Sequence, residues 1–142
     1  MSAEESKTIV RRLLEEPWTD LDVVDELVDE SYVGHDPSLP EELRGPRGFK
    51  DNVSMFRAAY SDARITVDDQ IAEGDTVASR WTGRGTHDGE LMGVPASGKQ
   101  VTVSGIVVSR VANGKVVEEW TNWDTLGMLR QIGAVPAPTQ AQ

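Results

Sequence analysis

The hydrophobic positions of the first sixty residues recur at the spacing of amphipathic helices. One apolar stripe lies in a first segment that ends at Pro17 and consists of Ile9, Val10, Leu13 and Leu14. A second, short helix is predicted over residues 20–28, with Thr19 or Asp20 as its N-cap. The stretch SYVGHDPSLP that follows contains two prolines and predicts a turn-rich connection. Pro46 is suited to the first position of a third helix, whose apolar face is Phe49, Val53, Phe56 and Tyr60.

From residue 63 onward the period of the pattern changes from helical to alternating. Four strands are predicted, over residues 63–72, 76–86, 100–112 and 115–124. Gly74 and Asp75 close the first hairpin, and Asn113-Gly114 indicates a two-residue turn in which both residues need a positive φ. A loop of residues 88–99 separates the middle strands, and residues 125–132 predict a short final helix.

Helices followed by an antiparallel meander predict an α+β fold. We expect a cone-shaped, curved antiparallel sheet with three N-terminal helices packed on its concave face, because such an arrangement encloses a cavity suited to a ligand. The 142 residues fit a single domain over residues 1–136, with residues 137–142 as a flexible C-terminal tail.

Composition and charge narrow the classes of function. The formal net charge of −10 disfavours binding to nucleic acid or to anionic membranes. The absence of cysteine excludes disulfides, thiolate metal sites and cysteine nucleophiles. The N-terminus lacks the pattern of a signal peptide and no apolar run reaches the roughly 20 residues that span a bilayer, so a cytoplasmic location is expected.

Three segments resemble the SnoaL-like polyketide cyclases, which belong to the nuclear-transport-factor-2-like superfamily. These are YVGHDP at residues 32–37, the central region 48–110, and NGKVVEEWTNWDTLGMLRQIG at residues 113–133. The likeness extends over about residues 7–136. It implies the cone fold, a homo-oligomer (dimer or tetramer), and an intramolecular aldol condensation of a polyketide ester without metal or organic cofactor. The same fold hosts ketosteroid isomerases, epoxide hydrolases and dehydratases, so the fold alone does not choose the reaction.

Asp124 is the first candidate for a catalytic residue. The resemblance implies a general acid/base at this carboxylate, and burial in an apolar cone would raise its pKa toward the range that proton abstraction needs. The alternative is that Asp124 caps the helix that starts at Thr125. Alternation places Trp120 and Asn122 on the same face as Asp124, so all three would face the cavity together. Asn122 would then donate a hydrogen bond to an enolate oxygen, or it is an ordinary polar strand residue.

The two histidines are the other catalytic candidates. His35 follows the second helix and either shuttles protons in the cavity or is a loop residue bound to backbone or to Asp36. His87 ends the second predicted strand and lies either at the cavity or at its solvent-exposed rim. Trp81 shares strand parity with His87 and is a candidate for binding substrate, and Tyr32 lines the cavity or belongs to the core.

The spacing of the two histidines and the acids matches no standard metal site, so no metal is expected. The favoured hypothesis is a cofactor-independent cyclase or related carbon-acid catalyst that acts on a small hydrophobic carbonyl compound in the cone. It requires Asp124 and a histidine to meet across one cavity. The alternatives are a non-catalytic protein that binds a small hydrophobic molecule, and a scaffold whose cone is filled by Trp81, Trp120 and Trp123.

Overall fold

Four helices and six strands make up residues 1–136, which the computed structural model describes. The helices are α1 (Ala3–Glu15), α2 (Val23–Leu27), α3 (Gly45–Ala59) and α4 (Thr125–Gln131), with one 3₁₀ turn at Glu16–Trp18. The strands are β1 (Val28–His35), β2 (Leu43–Arg44), β3 (Arg64–Glu73), β4 (Thr76–Thr86), β5 (Gln100–Ala112) and β6 (Lys115–Trp123). The expected tail, residues 137–142, lies outside the described residues.

All six strands form one sheet in the order β2-β1-β6-β5-β4-β3. The four strands of the predicted meander, β3 to β6, pair antiparallel with their chain neighbours. At the Asn113-Gly114 turn the φ angles are 53° and 79°, as the hairpin prediction required. The predicted α+β architecture, a curved sheet with helices on one face, is confirmed.

Strand β1 was not predicted, and the expected turn-rich stretch of residues 31–40 is wrong in its first half, because residues 31–35 are extended; residues 37–40 do form turns and bends. Residues 28–35 extend along β6 in parallel, so that Gly34 lies beside Glu119 and His35 beside Trp120. The register shifts between Val28 and Val33, which breaks the alternation that marks a regular strand in a sequence. The short α2 therefore leads directly into the sheet.

Two groups of buried side chains hold the helices on the sheet. The first joins α1 and α2 to the sheet and includes Val10, Leu13, Val24 and Leu27. The second joins the end of α3 to α4 and includes Tyr60, Met128 and Ile132. No helix among residues 1–136 is long and apolar enough to cross a membrane.

Candidate active site

A cavity of about 170 Å³ lies between the helices and the concave face of the sheet. Its walls are mostly apolar and come from α1, α3, α4 and all six strands of the sheet. They include Leu13, Phe49, Phe56, Val103 and Val107. Polar side chains also stand in these walls, among them Tyr32, Asn52, Glu119 and Thr121.

Glu119 is the most deeply buried acid at the cavity, with only 5% of its surface exposed. Its Oε1 accepts a hydrogen bond from the Tyr32 hydroxyl at 2.9 Å, and its Oε2 accepts one from the Ser109 hydroxyl at 2.6 Å. Burial raises the pKa of Glu119, and the two hydrogen bonds only partly offset this effect. Glu119 is therefore an acid whose proton is held more tightly than that of an exposed carboxyl.

Tyr32 is held against Glu119 by the backbone of β1. A side chain at Gly34 would meet the Tyr32 hydroxyl, since a Cβ there would lie 2.5 Å from the hydroxyl oxygen. Burial first, and then the negative charge of Glu119, raise the pKa of Tyr32 well above its usual value. Tyr32 consequently stays protonated and donates to Glu119, which orients the carboxyl group.

Asp36 contributes a second carboxylate to the cavity wall, where the chain leaves β1. Its Oδ1 accepts from the backbone N–H and the hydroxyl of Ser38, which forms the turn that the sequence indicated. Its Oδ2 accepts from the indole N–H of Trp123 at 3.2 Å. These contacts secure Trp123 in the wall, where its ring meets Phe56 edge-on.

Trp81 forms the floor of the cavity on β4. Its indole lies against Gly105 of the neighbouring strand, where any Cβ would collide with the ring. The indole is buried, and Nε1 has no hydrogen-bond partner among residues 1–136. Tyr60, at the end of α3, also lines the cavity, and its buried hydroxyl likewise lacks a partner within the described chain.

The comparisons with known proteins decide the family. The family model described as SnoaL-like polyketide cyclase matches residues 8–132. The chain belongs to the SnoaL-like polyketide cyclase family.

Named relatives and a solved structure agree with this membership. The chain is 32% identical over 139 residues to the aklanonic acid methyl ester cyclase DnrD of Streptomyces peucetius, covering 92% of each chain. It is 29% identical over 116 residues to the nogalonic acid methyl ester cyclase of Streptomyces nogalater, covering 79% of this chain and 84% of that one. A SnoaL-like protein from Jannaschia sp. CCS1 superposes with a TM-score of 0.84 at 25% identity, covering 94% and 95% of the two chains.

In this member of the family Asp124 does not face the cavity, so that expectation from the sequence is wrong. The residue is exposed and serves as the N-cap of α4, where its Oδ1 accepts from the Gly127 N–H at 2.8 Å. A role as helix cap was the alternative prediction for Asp124, and it is the one that the structure supports. The requirement that Asp124 and a histidine meet across the cavity is therefore not fulfilled.

Trp120 and Asn122 share the outward direction of Asp124, and their expected place in the cavity is also wrong. The common parity of the three residues is correct, but they occupy the outer face, where Trp120 is 42% exposed. The β5–β6 register shifts between Arg110 and Val111, which leaves one extra residue in β6 near Val117. Beyond this bulge the inner face of β6 consists of Glu119, Thr121 and Trp123.

His35 belongs to the cavity wall, but its ring is engaged by residues that do not line the cavity. Nε2 lies 2.8 Å from Oε2 of Glu118, and the ring stacks on Trp120 at a centroid distance of 5.5 Å. Nδ1 lies 3.5 Å from a carboxylate oxygen of Glu42. The ring thus joins β1 to the outer side of β6, and its proposed catalytic role has no support from this geometry.

His87 is fully buried and is not part of the cavity wall, so both expected positions for this catalytic candidate, at the cavity and at its exposed rim, are wrong. Its Nδ1 accepts a hydrogen bond from the Ser97 backbone N–H at 3.1 Å, which pins the two ends of the loop between β4 and β5 together. Its ring packs beside Tyr60 at a centroid distance of 5.5 Å. Trp81, by contrast, lines the cavity as its strand parity indicated, and Tyr32 both lines the cavity and belongs to the buried core, which were its two alternatives.

Glu119, Thr121 and Asn52 are among the polar cavity residues that the sequence interpretation did not select. A signal for Glu119 was present, because two consecutive acids in a strand must point to opposite faces and Glu118-Glu119 is such a pair. Within residues 1–136 no three His, Cys, Asp or Glu side chains are grouped so that they could hold a metal ion.

Proposed function

We propose that this chain is a cyclase that closes a ring in a small hydrophobic carbonyl compound without a cofactor, and that Glu119 moves the proton. The observation that carries the proposal is the position of Glu119, a buried carboxyl with a raised pKa on the wall of an apolar cavity. Such a group is suited to accept a proton from carbon near neutral pH. The names of the relatives DnrD and the Streptomyces nogalater enzyme support a polyketide methyl ester as the substrate class.

The proposed reaction is an intramolecular aldol addition. The Glu119 carboxylate removes a proton from the carbon next to one carbonyl group, which leaves an enolate. The enolate carbon forms a bond to a second carbonyl carbon of the same molecule, and the oxygen of that carbonyl takes back the proton from Glu119. The product is an isomer of the substrate, so the step needs no oxidant and no second reactant.

The neighbours of Glu119 fit this cycle. Tyr32 and Ser109 each donate to one carboxyl oxygen and keep the group in one orientation while it gains and loses the proton. Asn52 lines the same cavity and has no side-chain hydrogen bond to the described residues, so its amide is free to donate to a substrate oxygen. The apolar walls exclude water from the enolate.

The experiment is turnover of aklanonic acid methyl ester, followed by chromatographic separation of the ring-closed isomer. Wild type is expected to form the isomer, with kcat/KM rising with pH as Glu119 ionises at its raised pKa. Glu119→Gln should lose about 10²- to 10⁴-fold of the rate, the usual contribution of a general base. Glu118→Gln is the matched control, since Glu118 neighbours Glu119 in β6 but does not line the cavity, and pairs with Arg110 and His35.

Two results would contradict the proposal. Full turnover by Glu119→Gln would refute the role of this carboxyl. The second result is that wild type binds both aklanonic acid methyl ester and nogalonic acid methyl ester and releases each unchanged. The chain would then be a ligand-binding protein of the same fold.

A further inference from the structure

The inner face of β5 is a row of valines that is interrupted twice. Its inward positions, from residue 101 to residue 111, read Val-Val-Gly-Val-Ser-Val. The first exception, Gly105, leaves room for the ring of Trp81. The second, Ser109, is fully buried between valines and has Val77 opposite it on β4. A hydroxyl in such apolar surroundings lowers stability unless it has a hydrogen-bond partner, so this serine needs a reason other than packing.

The partner of the Ser109 hydroxyl is the carboxyl of Glu119. The two residues lie directly opposite each other on β5 and β6, and the hydroxyl donates to Oε2 at 2.6 Å. The second donor to this carboxyl, Tyr32, is 2.9 Å away and also packs its ring edge-on against Phe49. The Ser109 side chain makes no other hydrogen bond within residues 1–136. Its hydroxyl therefore serves Glu119 alone.

The charged groups around this buried carboxyl do not perform the same task. On the outer face of the sheet Glu118 pairs with Arg110 and His35. On β1 the titratable neighbour is Tyr32, which stays protonated, and Asp36 beyond the strand is held by its own hydrogen bonds. The residues that α1 and α3 contribute to the cavity wall are uncharged, and the two wall arginines lie near the opposite end of β3 and β4.

We propose that Ser109 is a positioning residue for the cyclase reaction, whose hydroxyl holds Oε2 of Glu119 and keeps this buried carboxyl able to ionise at the pH of turnover. The inference rests on the proposed function, in which Glu119 moves the proton. Burial raises the pKa of Glu119, and the contact with Ser109 is the stronger of the two hydrogen bonds that oppose this effect. Without the hydroxyl, Glu119 would keep its proton to higher pH and would be a poorer base near neutrality.

The test compares variants that differ in the hydroxyl. Ser109→Ala removes it, and Ser109→Thr retains it. Ser109→Cys has nearly the size of serine but donates more weakly, so it serves as a second variant if alanine impairs folding. Ser79→Ala is the matched control, because Ser79 is equally buried on β4 and its hydroxyl contacts Gln70 instead of Glu119.

The first measurement needs no substrate. It is a pH titration of the Glu119 carboxyl by carbon-13 NMR in the labelled full chain, with the signal identified by its absence in Glu119→Gln. Ser109→Ala and Ser109→Cys should titrate at higher pH than wild type, whereas Ser109→Thr and Ser79→Ala should titrate with wild type. The inference is overturned if Ser109→Ala titrates with wild type, if Ser79→Ala moves the titration equally, or if Ser109→Thr titrates with Ser109→Ala.

The second measurement is the pH profile of kcat/KM for aklanonic acid methyl ester. On the acid side Ser109→Ala should be slower than wild type by about 10- to 100-fold, the contribution of one hydrogen bond to a charged group. The difference should shrink as pH rises and Glu119 ionises in both proteins. A purely structural role would lower the rate by the same factor at every pH, and that result would overturn the inference.

The two measurements separate this inference from the proposed function. Full turnover by Glu119→Gln together with a displaced titration in Ser109→Ala would refute the role of Glu119 and leave the effect of Ser109 on its ionisation. Loss of turnover in Glu119→Gln with an unmoved titration in Ser109→Ala would refute only the role of Ser109.

Discussion

Replacing Asp124 distinguishes the two roles considered for this residue, helix cap and catalytic base. The Asp124 side chain accepts one backbone hydrogen bond, from Gly127, and the helix that it caps brings Met128 into the core. Asp124→Ala removes that acceptor, and loss of an N-cap costs about 1 kcal/mol. For a chain of this size we expect a fall in Tm of about 3 °C. Asp124→Asn retains an acceptor oxygen at the cap, so its Tm should match that of wild type.

The assay is thermal unfolding of the three proteins, combined with turnover of aklanonic acid methyl ester at a temperature where all are folded. Because Asp124 lies outside the cavity, both variants should keep the wild-type rate. The reasoning would be refuted if the Asp124→Asn variant were as stable as wild type but its activity were lower by 100-fold or more. That pattern is the signature of a general base.

Three further predictions concern the cavity and the core. Burial raises the pKa of Glu119 above the 4.5 of an exposed glutamate, so its contribution to stability is full below that value and is lost as pH rises through the raised pKa. Glu119→Gln lacks this loss, and its Tm relative to wild type should rise with pH in paired melts; a constant difference would contradict the burial argument. Gly105→Ala should displace the Trp81 indole and cost about 1–3 kcal/mol in urea unfolding, with quenched or shifted tryptophan emission. Leu27→Ala should cost about 2–5 kcal/mol by the same measurement, because Leu27 is only 2% exposed.

Local patterns in the sequence predicted most of the fold. The strands β4 and β5 have the predicted bounds, and the Asn113-Gly114 turn has the predicted conformation. These elements depend on alternation and turn chemistry, which neighbouring residues determine. Strand β1 could not be predicted in this way, because it pairs in parallel with β6, more than eighty residues away, and a bulge interrupts its pattern.

The candidate site was predicted less well, for a related reason. Alternation sorted β6 correctly into two faces, but each face carries at least one acid and a tryptophan, so composition does not reveal which one turns inward. Trp123 faces the cavity and Trp120 faces outward, a difference that follows from the bulge near Val117 and the position of the helices. Because Asp124 was predicted to face the cavity, Trp120 and Asn122, which share its face of the strand, were predicted to face it as well. The homo-oligomer expected from the resemblance stays a prediction.

The central claim is that the cyclase chemistry depends on the carboxyl on the inner face of β6. The most direct measurement compares kcat/KM for aklanonic acid methyl ester in Glu119→Gln, Glu118→Gln and Asp124→Asn, each replacing one carboxylate of the same strand end by an amide. We predict that Glu119→Gln alone loses activity, by about 100-fold or more. Loss in Asp124→Asn with full activity in Glu119→Gln would contradict the account.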